Sequence, residues 1–372
     1  MNPLNLTDRS IIWYNFFTLM LIAGLLINCS ADPVDQTEVV ETPDFNMPKI
    51  DFHAHYRAER DYLIPLLDSF NLQPVLVDVG RVDTERWNQA RAGMIENYKK
   101  HPNRYFFCSA FTANGIDDPD YAEKVIEHLK TDLSQGAAMV KVWKNFGMVS
   151  KDNSGAFVHI DDPRIQPVWD FLTEQGIPVL AHIGEPLQAW RPLEDDNPHA
   201  GYYRRNPQYH AYQHPEIPSW ETIQQARNNW LAKNPDLVVV GAHHGSMSHD
   251  VGLIGETLDR YPNFHVEPAA RFGDLALQNS DSVRAYYIRY QDRILYGTDF
   301  GTSGSELDMT EEDKINEKKR LAQRMYAHWE YLSTFDSVKI LRDPSIPTRG
   351  LGLPDSVLRK VYYQNAIRIL NN

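Results

Sequence analysis

The sequence predicts an α/β fold: a (β/α)8 TIM barrel with C-terminal helices outside the strands. Three observations carry that expectation. From residue 48 onward, eight short β-rich runs alternate with segments of helical spacing. Several runs are near-continuous Val, Ile and Leu, the composition of parallel strands covered on both faces. Histidine, lysine and aspartate recur where the runs end, and in such a barrel the carboxyl ends of the strands converge on one face. A doubly wound open sheet is the alternative that the same alternation allows.

The chain opens on an apolar run, residues 11–27, followed by Asn28, Cys29 and Ser30. That run has the size of a signal sequence and falls short of the about 20 apolar residues that span a bilayer. Leu26-Ile27-Asn28-Cys29 resembles a bacterial lipobox, in which the cysteine is lipidated and becomes the mature N-terminus, although Asn28 stands where a small residue is usual. The expected organisation is a lipoprotein-type signal peptide over 1–28, a polar tether over 29–47 and the barrel over 48–372. A plain signal anchor is the alternative. Either way the body is expected outside the cytoplasm, attached to a membrane by the anchor alone, in the periplasm or at the outer membrane.

Within the body the strand candidates are 49–55, 74–80, 105–112, 138–143, 177–182, 237–243, 264–268 and 294–299. Helical spacing fills the gaps at 61–70, 87–100, 120–134, 163–175, 220–233, 250–261 and 281–291. A charged helix over 311–332 and an amphipathic helix over 354–370 follow the last strand. Composition narrows the function. With 372 residues, 42% hydrophobic and 23% charged, the chain has ample length for a large core. A mean hydropathy of −0.48 excludes a multi-span membrane protein. The net charge of −13 argues against a nucleic-acid partner. Cys29 and Cys108 are the only cysteines, too few for a disulfide framework.

The strand ends carry His53 and His55, Lys141, His182, His243 and Asp299, with Asp51 opening the first group. Side chains two apart on a strand share a face, so His53 and His55 can both enter the barrel mouth. As neutral imidazoles, with Asp299 as carboxylate and His182 as a third nitrogen, they suit a divalent ion such as zinc. Three or four nitrogen and oxygen donors with an open position mark a catalytic zinc, whereas a structural one more often takes cysteines. Residues 183–218 form a connection of unusual length, rich in aromatics and arginine. Glu185, Trp190 and Arg204 there, and Arg271 after the seventh strand, are candidate contacts for a flat or anionic small molecule.

Four motifs together resemble the amidohydrolase superfamily: Asp51-Phe52-His53-Ala54-His55, Val179-Leu180-Ala181-His182, Gly241-Ala242-His243-His244-Gly245 and Ile294-Leu295-Tyr296-Gly297-Thr298-Asp299-Phe300. The nearest pattern is its amidohydrolase-related (amidohydrolase 2) branch, which includes aminocarboxymuconate-semialdehyde decarboxylase-like enzymes. Gly352-Leu353-Pro354-Asp355 and Tyr362-Tyr363-Gln364-Asn365-Ala366 are similar to the closing helix of that branch. The resemblance implies metal ligation by His53, His55, His182 and Asp299. It makes His243 an acid/base residue that polarises a carbonyl or stabilises an oxyanion, or else a ligand to a second ion, with His244 the competing assignment. Lys141 is either carboxylated and bridging two ions or free of that role; one zinc is the expectation and two the alternative. The implied activity is hydrolysis of an amide, ester or lactone in a small, acidic or aromatic or sugar-derived substrate. A decarboxylase of the same branch would use the same parts, and a binding lipoprotein without catalysis is the reading from another class.

Overall fold

In the barrel strands, inward positions form one continuous apolar cluster: Ile50, Phe52, Val75, Val77, Cys108, Met139, Leu180, Val240 and Leu295 are all buried together. These apolar side chains fill the interior, as parallel strands closed on themselves require. The computed structural model describes residues 44–56, 60–80, 84–194, 197–302, 308–341 and 346–371. The apolar run at 11–27, Cys29 and most of the expected tether lie outside the described residues. Among the described residues no helix is long and apolar enough to cross a membrane.

The strands are β1 (Lys49–His55), β2 (Leu72–Val77), β3 (Phe106–Ala110), β4 (Ala137–Val142), β5 (Val179–Ala181), β6 (Val239–Gly241), β7 (Phe264–Val266) and β8 (Phe300–Gly301). They form one parallel sheet in the order β7-β6-β5-β4-β3-β2-β1-β8. The sheet closes through the segment before β8. Ile294 bridges Val266 in parallel, Leu295 donates to the Val266 carbonyl at 2.9 Å, and Phe52 donates to the Tyr296 carbonyl at 2.9 Å. Helices cover the outside, including Thr84–Lys100, Tyr121–Ser134, Gln166–Glu174, Trp220–Lys233, Val251–Arg260 and Ser280–Arg289. Between them and the strands lies a second apolar layer that includes Val140, Val179, Trp169, Trp230 and Leu258.

Three features depart from simple alternation. In β1 the pairing with β2 shifts between Asp51 and Ala54. That bulge lets Ile50 and Phe52 face the interior and still turns His53 and His55 toward the mouth. The eighth strand, expected over 294–299, pairs regularly only at Phe300–Gly301, because Asp299 has a φ of 53° and breaks the pleat. The connection expected as a loop over 183–218 instead holds short helical turns at Leu187–Trp190 and Ala200–Arg205. At the other end of the barrel the last helix, Asn365–Leu370, adds Ala366, Ile369 and Leu370 to the interior cluster. The Asn365 amide donates to the Gln291 and Ile294 carbonyls at 2.7 and 2.8 Å, so this helix closes the floor.

Candidate metal centre

The β1 bulge and the left-handed Asp299 bring three donor atoms to one point. His53 Nε2 and His55 Nε2 lie 3.1 Å apart. Asp299 Oδ1 is 3.2 Å from His55 Nε2 and 3.7 Å from His53 Nε2. The other ring nitrogens determine what these atoms carry. His53 Nδ1 is 2.7 Å from Glu267 Oε1 and therefore donates. His55 Nδ1 is 3.0 Å from the Val77 carbonyl and donates as well. Both Nε2 atoms thus present lone pairs, beside a carboxylate oxygen. The three acceptors carry no proton of their own, and apart from Lys141 Nζ beside His53 Nε2 they call for a cation. Their spacing is close to the ~3.4 Å edge of a tetrahedron of donors around zinc.

His182, one residue beyond β5, is buried, and its Nε2 has no hydrogen-bond partner among the described residues. Its ring meets that of His243 edge-on at 4.4 Å, and His243 lies 4.9 Å from His53. An orphaned imidazole nitrogen beside this cluster fits a further ligand to the same ion. The donor set therefore suits a divalent metal. Lys141, at the end of β4, is buried with its Nζ 2.6 Å from His53 Nε2.

A second group, His53, His243 and Glu267, also converges, but its acceptors are already satisfied. Glu267 Oε1 takes the His53 ring proton and the His243 backbone N–H, and Oε2 takes the Ala269 N–H. Glu267 is an orienting carboxylate, holding His53 with Nε2 toward the mouth. It sits one residue past β7. An acid at that strand end is the signal that nominates it from sequence, four residues before Arg271.

His243 and His244 do not alternate as strand residues. Four consecutive residues, His243 to Ser246, have φ between 56° and 62°, a left-handed turn. It aims His243 Nδ1 at the Ala269 carbonyl, 2.6 Å away, and places His244 against Tyr286. Such conformations are costly for residues with a Cβ and gather at functional sites. Ala270 and Asp299, with φ of 56° and 53°, belong to the same neighbourhood.

Burial governs the titrations. It drives the His53, His182 and His243 imidazoles well below their ordinary range, reinforced by neighbouring cations and imidazoles. Burial also lowers Lys141 to about 8, against the pull of Asp299. It works to raise the Asp299 carboxyl, but the neighbouring His55, His53 and His243 imidazoles outweigh it and hold that group well below its usual range. Asp51 is pushed up to about 7 by burial, despite hydrogen bonds from Thr298 and the His53 backbone.

The residues expected to contact a substrate divide. Arg271 is buried beside the mouth, its Nε without a hydrogen-bond partner among the described residues and 3.9 Å from Asp274. Glu185 is buried in an ion pair with Lys144, whose Nζ also donates to Tyr202 Oη at 2.9 Å and lies 3.4 Å from the Tyr209 ring centre. Lys144 and Tyr202 are thus part of the wall, and Lys144 stands three residues after Lys141, where the sequence does not single it out. Trp190 packs against the outer apolar layer and donates to the Pro218 carbonyl at 3.0 Å. Arg204 is exposed on the Ala200–Arg205 helix, while its neighbour Tyr203 turns inward toward Glu185. The structure does not bring these last two expected contacts, Trp190 and Arg204, to the donor cluster.

A family model described as amidohydrolase (Amidohydro_2) matches residues 50–371. No protein of curated function matches the sequence significantly. Among solved structures, a Staphylococcus aureus protein assigned as an amidohydrolase is 14% identical, with 88% of this chain and 100% of that one covered and a TM-score of 0.50. A 5-carboxyvanillate decarboxylase from Sphingomonas paucimobilis is 12% identical, with 87% and 99% covered and a TM-score of 0.46. A zinc-bound amidohydrolase from Burkholderia multivorans is 13% identical, with 87% and 99% covered and a TM-score of 0.45.

Proposed function

The chain belongs to the amidohydrolase family whose model spans residues 50–371, and from that premise we propose a metal-dependent hydrolase that cleaves an amide, ester or lactone bond in a small acidic or aromatic substrate. The observation that carries the reading is the convergence of three proton-free donors at His53, His55 and Asp299. With His182, they are the residues we assign to hold one divalent ion, zinc by the chemistry of the donors. When bound, the ion supplies a water that ionises near neutral pH and a charge that polarises a carbonyl.

The remaining work falls to the chain's own groups. Asp299, which is 30% exposed at the mouth, accepts the proton lost by the attacking water and returns it to the leaving group. His243 has committed its Nδ1–H to Ala269, so Nε2 carries a lone pair. In neutral form it accepts a proton, the base half of the acid/base role expected from sequence, and does not donate to an oxyanion. Lys141 and Arg271 are the donors, and Arg271, whose Nε has no hydrogen-bond partner among the described residues, takes a substrate carboxylate.

Metal analysis of the purified chain, followed by turnover of esters, lactones, amides and carboxylates in heavy-oxygen water, tests the reading. One equivalent of zinc and solvent oxygen in the product are expected. His53→Ala and Asp299→Ala should lose both metal and activity while keeping the fold. Release of CO2 without solvent oxygen would assign the site to decarboxylation instead, and binding without any turnover would make it a non-catalytic receptor. From the sequence alone we also propose that Cys29 is lipidated and tethers the enzyme to a membrane outside the cytoplasm. Cys29→Ala should then release the protein from the membrane fraction; retention would point to a plain signal anchor.

A further inference from the structure

Arg227, on the Trp220–Lys233 helix, is 2% exposed and has no carboxylate partner among the described residues. Burial pulls its guanidinium down to about 10, a sign of how poorly the position solvates the charge. A buried cation without a counter-ion is costly, and a neutral side chain of similar volume would pack there with less penalty. What the guanidinium touches explains its presence. Nη1 donates to the Gly245 carbonyl at 2.8 Å, and Nη2 lies 3.5 Å from Met247 Sδ. Asn228 Oδ1 accepts from Nε and Nη2 at 3.2 and 2.9 Å, and the Phe264 ring lies 5.4 Å below the guanidinium carbon. The planar fork is therefore fixed on one side and grips the left-handed turn on the other.

We propose that Arg227 is a positioning residue for the reaction, holding the His243–Ser246 turn in its left-handed form so that His243 faces the mouth. The turn is not self-supporting. Left-handed residues with a Cβ relax to ordinary conformations unless neighbours hold them. Glu267 holds its start by accepting the His243 N–H, with its backbone carbonyl taking the His244 N–H. Ser246 Oγ donates to the Gly184 carbonyl at 2.9 Å and holds its end. Arg227 holds the middle, at Gly245, where a Cβ would meet Phe264 Cζ at 2.9 Å and no side chain is available to do so. Released there, the turn can swing His243 Nδ1 off the Ala269 carbonyl while the donors at His53, His55 and Asp299, on other strands, stay in place.

The inference rests on His243 acting on substrate, and the test separates the two. Arg227→Met, Arg227→Lys and His243→Asn are prepared in the zinc-loaded full chain. Zinc stoichiometry, kcat and KM on the ester or lactone turned over, and the proton–nitrogen NMR correlation of the His243 imidazole are measured. Arg227→Met should lower kcat about 10- to 100-fold, as expected for a misplaced reacting group, with KM and zinc content unchanged and the protected Nδ1–H signal of His243 lost. Arg227→Lys, which keeps a cation that can reach one carbonyl, should recover part of both. A merely structural role would lower folded yield without moving the kcat-to-KM split in the folded fraction. Should Arg227→Met fail to fold, the lysine variant decides: wild-type kcat and an intact Nδ1–H signal overturn the proposal. Unchanged kcat in His243→Asn overturns the role of His243 instead, and the imidazole spectrum, which needs no turnover, then judges Arg227 by itself.

Discussion

Glu267 spends its oxygens on donors of the chain, and so determines how His53 is presented. Its two oxygens accept from His53 Nδ1, the His243 N–H and the Ala269 N–H. Replacing it with glutamine offers an amide that can donate as well as accept, and frees His53 to turn or change tautomer. Glu267→Gln should weaken zinc binding about 10- to 100-fold with the fold intact, read by competition with a chromophoric chelator. Gly297 makes the same point from the other side. A Cβ there would lie 2.8 Å from Glu267 Oε2 and 3.2 Å from His53 Cβ. Gly297→Ala should therefore separate the pair and copy the affinity loss of Glu267→Gln, whereas wild-type affinity would remove Glu267 from the centre's support. At this scale the sequence discloses the atoms that converge, because His, Asp and Lys stand out at the ends of apolar runs. It conceals which tautomer each histidine adopts. The Ala269 carbonyl that makes His243 Nε2 an acceptor is a backbone atom, and no residue type announces it.

Elements show a similar division. Strands and helices are legible where periodicity is regular: Trp220–Lys233, Tyr121–Ser134 and Lys49–His55 fall within a residue of their expected bounds. The irregular parts are not, since the β1 bulge and the left-handed residues at 243–246 and 299 depend on partners distant in sequence. The segment before β8 is held by three such partners. Asp51 accepts from the Thr298 N–H at 2.9 Å and from its hydroxyl at 2.5 Å. Arg324, on the Glu311–Ser333 helix, donates to the Thr298 carbonyl at 3.0 Å. The same helix sends His328 to the Tyr296 hydroxyl at 3.1 Å. The charged helix beyond the barrel thus helps aim Asp299. Arg324→Ala should cost about 1.5–3 kcal/mol, the loss of one hydrogen bond from a charged donor, and should lower kcat more than KM. A denaturation midpoint shift without any kinetic change would confine the helix to stability.

Across the whole molecule the chemistry and the stability occupy opposite ends. The mouth carries the donors, the floor is closed by Asn365–Leu370, and the interior cluster separates them. Removing the proposed ion with a chelator should therefore abolish turnover while leaving the far-ultraviolet circular dichroism unchanged. Stability should answer to groups at the other end. Lys49 begins β1 there, buried, with Nζ donating to the Met47 and Phe70 carbonyls at 3.0 and 3.1 Å and lying 4.6 Å from the Phe45 ring centre. Burial pulls its ammonium from 10.5 down to about 8, against the opposing pull of Asp44. Between those values the unfolded chain binds a proton that the folded protein has given up. Stability from this group consequently rises with pH across that window and is lost as pH falls through the folded value. Lys49→Met removes the titration along with the bonds. The difference in unfolding free energy between wild type and this variant, measured by urea denaturation, should grow in favour of the wild type from pH 8 to 10.5. A difference that stays flat would mean that the carbonyl cage holds Lys49 charged throughout, and that burial at the floor does not set its proton.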